Sequence, residues 1–166
     1  MFKPLLVCAV FFTLYGCANP VMTKSTATTP PKGMFKLLED DKGSSWADLR
    51  SVSRYKGNDH LRRIYIINNY IPPRPVSQWQ VSSSRTVNVI NCDTFERASF
   101  DKAFMTLPFG EGDIVATSDE IGRWSSFPKE SLIGIVAESV CRITPASLKP
   151  EPGPESRKPL LEAKTG

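Results

Sequence analysis

The chain has 166 residues, 40 % hydrophobic and 23 % charged, with a net charge of +4, enough for one domain with a sizeable core and too little for two large ones. A single His excludes multi-His metal sites and leaves little for His-based acid–base chemistry; ten Gly without phosphate-loop spacing argue against a nucleotide enzyme. The mild charge argues against a dedicated nucleic-acid binder.

Residues 1–16 read MFKPLLVCAVFFTLYG. Lys3 gives a positive start, and Leu5 to Leu14 carries no charge. As a helix, this run spans about 15 Å, half the hydrocarbon core of a bilayer. That is the length of a signal-peptide apolar region, not of a membrane span. The run ends in Leu14-Tyr15-Gly16-Cys17, which resembles a bacterial lipobox, although Tyr15 is larger than the residue usual at its position. The resemblance implies diacylglycerol on the Cys17 thiol and cleavage before it, and several acyl chains suffice for stable membrane attachment. Ala18, not Asp, follows Cys17, which by the same resemblance favours the outer membrane. The alternative is an ordinary cleaved signal with an incidental Cys.

Residues 17–33 are rich in Thr and Pro, lack periodicity and are expected to form a flexible tether. Residues 144–166 contain Pro145, Pro150, Pro152, Pro154 and Pro159 among charged residues, and are expected to be a disordered tail. The folded domain is then 34–143.

Within it, Met34 to Leu38 is a short apolar run closed by the turn signal Glu39-Asp40-Asp41-Lys42-Gly43. Trp46, Asp48 and Arg50 alternate with Ala47 and Leu49. Lys56 to Asp59 is a turn, and His60 to Tyr70 is a β-branched and aromatic strand, stopped by Ile71-Pro72-Pro73-Arg74-Pro75. Arg85 to Cys92 and Phe95 to Met105 are further strands. Gly110-Glu111-Gly112 turns the chain into a short strand from Asp113 to Thr117. From Leu132 to Cys141 the apolar period becomes helical, with Pro128 suited to a first turn and Glu130 to a positive helix start. Gly134 costs such a helix about 1 kcal/mol relative to Ala. The expected fold class is α+β, an antiparallel sheet with the C-terminal helix packed on one face.

Of four Cys, Cys8 lies in the leader and Cys17 is the lipidation candidate, leaving Cys92 and Cys141. In an exported domain this pair is most simply one disulfide. The alternatives are two buried thiols or half a metal site; neither CxxC spacing nor a nearby His supports zinc. No cofactor or metal is expected. His60 lacks an acid–nucleophile pattern and reads as a surface His. Asp40-Asp41 and Asp119-Glu120 read as solvated turns. Arg50, Arg54, Lys56, Arg62 and Arg63 form the strongest candidate site, a basic patch on one hairpin for glycosaminoglycan, lipopolysaccharide phosphates or an acidic protein. The alternative is a solvated hairpin whose charges discourage edge pairing. Trp46, Tyr65, Phe95, Phe100, Phe104 and Trp124 are assigned to the core, with Tyr55, Tyr70 and Trp79 as better exposed candidates.

The order of these features (the W-A-D-L-R-S-V strand, a Lys-Gly-Asn turn, an aromatic strand ending in Tyr and Pro, Ser-Ser-Ser-Arg leading into Asn91-Cys92-Asp93, a Gly-x-Gly turn, Trp124, and a helix ending Val140-Cys141) resembles the surface-adhesin protein E family of Gram-negative lipoproteins, over 34–143. The resemblance implies an antiparallel sheet flanked by a helix, a disulfide, often a homodimer, and surface exposure with binding to host extracellular-matrix or plasma proteins. The expected function is therefore that of a non-catalytic, outer-membrane-anchored binding module. A periplasm-facing structural lipoprotein contacting another envelope component is the alternative. Nucleic acid is not an expected partner.

Overall fold

A computed structural model describes residues 29–119 and 122–153. Residues 1–28, which hold the expected signal peptide, Cys17 and most of the expected tether, lie outside the described residues. Among the described residues the architecture is mostly β: β1 (Met34–Asp40), β2 (Gly43–Tyr55), β3 (Asn58–Val76), β4 (Trp79–Asn91), β5 (Glu96–Met105), β6 (Ile114–Ser118), β7 (Ser125–Ser126) and one α-helix, α1 (Leu132–Cys141). The strands form one antiparallel sheet in the order β1-β2-β3-β4-β5-β6, with β7 also on β5.

Turn chemistry sets this order. Lys56 and Gly57 both have positive φ, 50° and 71°, the type I′ arrangement whose twist matches the strands it joins. Ser77 and Gln78 make the next two-residue turn, with Ser77 at φ 52°. This corrects the expected stop at Ile71. Strand β3 continues to Val76, and β4 begins at Trp79 rather than Arg85. Pairing skips from Asn69 to Arg74, so Pro72 and Pro73, which have no N–H to give, fall inside the irregularity and cost the ladder nothing.

Strand alternation sorts the apolar residues. One face carries Ala47, Ile64, Ile66 and Ile90, which share a buried cluster with Val52 and with Val136, Ala137 and Val140 of α1. The other face carries Tyr65, Ile67, Val87 and Val89, with Tyr55 and Phe100 packed beside them. A disulfide joins Cys92, just past β4, to Cys141 at the end of α1.

Helix α1 spans the expected Leu132–Cys141, but Pro128 and Glu130 stand before it and not in its first turn. Ser131 is its N-cap, accepting from Gly134 N–H at 3.1 Å and donating to the Pro128 carbonyl at 2.6 Å, so Pro128 and Glu130 precede the helix. A Cβ on Gly134 would lie 2.3 Å from the Lys129 carbonyl oxygen and 2.5 Å from that of Pro128. The glycine therefore serves close approach, and its propensity cost is secondary. Gly134→Ala is expected to destabilise the domain by about 2 kcal/mol, although Ala is the better helix former. Urea denaturation reads this directly, and a rise in the midpoint would contradict it.

The tail also differs from expectation. Residues 144–153 lie against β2: Lys149 bridges Ser53 in parallel, its Nζ donates to the Arg50 carbonyl at 3.0 Å, and the Lys56 N–H donates to Glu151 at 2.9 Å. Leu148 packs onto the cluster that contains α1. Residues 154–166 lie outside the described residues.

Candidate functional site

The structure does not bring the five basic residues into one surface. Arg62 and Arg63 are adjacent on an extended strand, so they point to opposite faces, and they are only 3 % and 1 % exposed. Arg62 donates to the carbonyls of Asp59 (2.7 Å), Ile143 (3.1 Å) and Val140 (3.3 Å). Burial lowers its pKa, with Asp59 opposing. Arg63 stacks on Tyr65, 4.4 Å from the ring centroid, and donates to the Tyr65 hydroxyl at 2.8 Å, while Glu151 lies 3.9 Å away. Arg50 is paired in a fork with Asp48 at 2.7 and 3.0 Å; that hydrogen bond raises its pKa, against a smaller opposing effect of burial. Arg54 pairs with Asp59 at 3.2 Å, and Lys56 Nζ sits 5.3 Å from the Tyr55 ring. The exposed His60 has Asp93 3.0 Å away.

A different site emerges on the face that carries Tyr65, Val87 and Val89. Three depressions adjoin there. The first, about 340 Å³, is lined by Tyr55, Phe100, Asp101, Asp119 and Trp124 over a floor of Val89 and Ala98. The second, about 210 Å³, shares Asp101 and Asp119 and adds Tyr65, Arg85 and Thr117. The third, about 340 Å³, shares Tyr65 and Arg85 and runs to Arg50, Phe109 and Glu111. Because neighbours share walls, the three read as one groove across β3, β4 and β5.

Local irregularities open this groove. On its outer side, among the described residues, β5 pairs with β7 at Glu96 and Arg97 and with β6 from Lys102 onward, with Ala98 to Asp101 between the two ladders. On its inner side the register with β4 slips between Thr86 and Val87. The extra residue in β5 is Asp101, at φ 48°. Bulges of this kind re-aim side chains and recur beside binding sites. At the far end, the turn at Pro108–Gly110 folds onto the sheet: Phe109 N–H donates to Asn69 at 2.7 Å, and its ring meets Trp46 edge-on at 5.5 Å. Tyr65 lies mid-groove between Arg63, two residues before it, and Arg85, which pairs with Ile67 two residues after it; both guanidinium carbons are 4.4 Å from its ring centroid.

Sequence reasoning missed Arg85, Asp101 and Thr117, since each looks like an ordinary polar position in a strand. It misplaced Trp124, assigned to the core but 47 % exposed. Tyr55, Tyr70 and Trp79 are partly buried, with Tyr55 against Phe100 at 5.6 Å. The one available signal is local: Trp124 stands between Arg123 and Ser125-Ser126, with no apolar alternation to bury it.

A family profile described as Surface-adhesin protein E matches residues 34–142. Among solved structures, protein E from non-typeable Haemophilus influenzae aligns with a TM-score of 0.55 at 15 % identity, covering 69 % of this chain and 78 % of that one. Another structure of Haemophilus influenzae protein E gives 0.53 at 14 % identity, covering 74 % and 96 %. At these identities the structural likeness establishes a shared fold.

Proposed function

Because the chain belongs to the surface-adhesin protein E family, we propose that it is a non-catalytic binding module, held at the outer membrane by lipid on Cys17, which recognises host extracellular-matrix or plasma proteins through the groove of β3, β4 and β5. The family is one of surface adhesins rather than of enzymes. In this reading α1 packs on the sheet face of Ala47, Ile64 and Ile66 and leaves the opposite face to the partner. The observation that carries the reading is the groove itself: adjoining depressions with a half-exposed Trp124, with Arg85, Lys102 and carboxylates beside the apolar Val87, Val89, Ala98 and Ala103. Aromatic and arginine side chains around an apolar centre are the composition of protein-binding hot spots.

The test is adhesion of Gram-negative cells displaying the full chain to immobilised matrix and plasma proteins. Protease shaving of intact cells should remove the domain. Trp124→Ala should cut adhesion about tenfold while the thermal midpoint of the purified protein holds. Protection from protease, together with capture of envelope proteins only, would overturn this reading in favour of a periplasm-facing role.

A further inference from the structure

The depression under Trp124 has a composition that selects its occupant. Three aromatic side chains line it, Tyr55, Phe100 and Trp124, together with two carboxylates, Asp101 and Asp119. Among the described residues no cation lines it. Lys56 lies 5.3 Å from the Tyr55 ring but is not part of the wall. Asp101 is engaged within the fold; Asp119 is exposed at the rim. An anionic ligand would face two carboxylates. An apolar one would strip water from the exposed Asp119 without offering it a partner. A cation on an alkyl stem meets both requirements, since ring faces and carboxylates attract the charge while Val89 and Ala98 receive the methylenes. The chain already uses ring–cation contact elsewhere, as in Arg74 over Tyr70 at 4.3 Å and Lys129 over Phe95 at 4.9 Å.

On the reading that the groove is the binding face, we infer that this depression is a pocket for a lysine or arginine side chain of the partner polypeptide. The pocket anchors one residue, and the rest of the groove accommodates the chain on either side.

The experiment titrates the purified full chain in detergent with acetyl-Gly-Lys-Gly-amide, its arginine counterpart, and control peptides carrying norleucine or glutamate in place of lysine. Tryptophan fluorescence and calorimetry are the readouts. Saturable binding of the lysine or arginine peptide is expected, with the norleucine and glutamate peptides at least about tenfold weaker. Asp119→Asn should weaken the cationic peptide about tenfold, and Trp124→Ala should remove both the fluorescence change and the heat. Both sites are on the surface, so the thermal midpoint should hold and serve as the folding control. Equal affinity for norleucine, no binding of either cationic peptide at millimolar concentration, or indifference to Asp119→Asn would overturn the proposal. The two readings separate cleanly. Adhesion lost in Trp124→Ala with flat peptide titrations refutes the cation pocket and leaves the groove; adhesion unchanged in both variants refutes the groove.

Discussion

Replacing the disulfide by the pair Cys92→Ser and Cys141→Ser is expected to lower domain stability by about 4 kcal/mol, and the thermal midpoint by roughly 15–25 °C. The bridge joins residues 49 apart in sequence, and closing a loop of that length removes conformational freedom from the unfolded chain on this scale. The native side of the balance adds to the effect. The helix has ten residues, fewer than a free helix needs in water, so it depends on its attachments. Those are the apolar contacts of Val136, Ala137 and Val140, the hydrogen bonds of Arg62, and the bridge at its last residue. Calorimetry of the variant, and of the natural chain with and without reductant, measures the loss. A fall of less than about 5 °C would mean that packing and Arg62 hold the helix without covalent help.

The elements legible in the sequence are those whose signals are local. The Lys56-Gly57 turn, the strand through Ile64–Ile67, the strand through Val87–Ile90 and the helix over Leu132–Cys141 each declare themselves through turn residues or periodicity. The misreadings come from features that depend on partners distant in the chain. Prolines 72 and 73 looked terminal, yet the β3–β4 ladder skips over them and resumes at Arg74. Gly134 looked like a weak helix residue because the Pro128-Lys129 backbone that presses on it is invisible to helix propensity. The prolines and charges after Ile143 gave no sign of Ser53, which pairs with Lys149 across 96 residues. The same holds for the candidate site. A cluster of cations in sequence is not a cluster in space when two of them are neighbours on one strand, whereas the groove takes walls from β2, from β5 and from the segment around Trp124, which no single window contains.

Arg62 shows how far a surface reading of the basic set departs from the fold. Arg62→Ala is expected to destabilise the domain by about 3 kcal/mol. The last carbonyls of a helix lack intrahelical partners, and α1 is followed by Arg142 and Ile143 rather than by a capping glycine. The Arg62 guanidinium reaches across from β3 to the carbonyls of Val140 and Ile143, so a cation stands at the negative end of the helix dipole. Removing it leaves these acceptors and that of Asp59 without their charged donor, although some cost of burying the cation is recovered. Arg62→Lys should lose about 1–2 kcal/mol, since one ammonium cannot reproduce a planar fork that spans three carbonyls. Equilibrium urea denaturation measures both through the midpoint at constant slope. If Arg62 instead belonged to a binding patch, its removal would weaken salt-sensitive association and leave the midpoint unchanged. The coupling between the two helix attachments is informative too. Val140, whose carbonyl Arg62 holds, immediately precedes Cys141, so the loss in a variant lacking both should fall short of the sum of the separate losses. Strict additivity would mean that the two attachments secure independent parts of the domain.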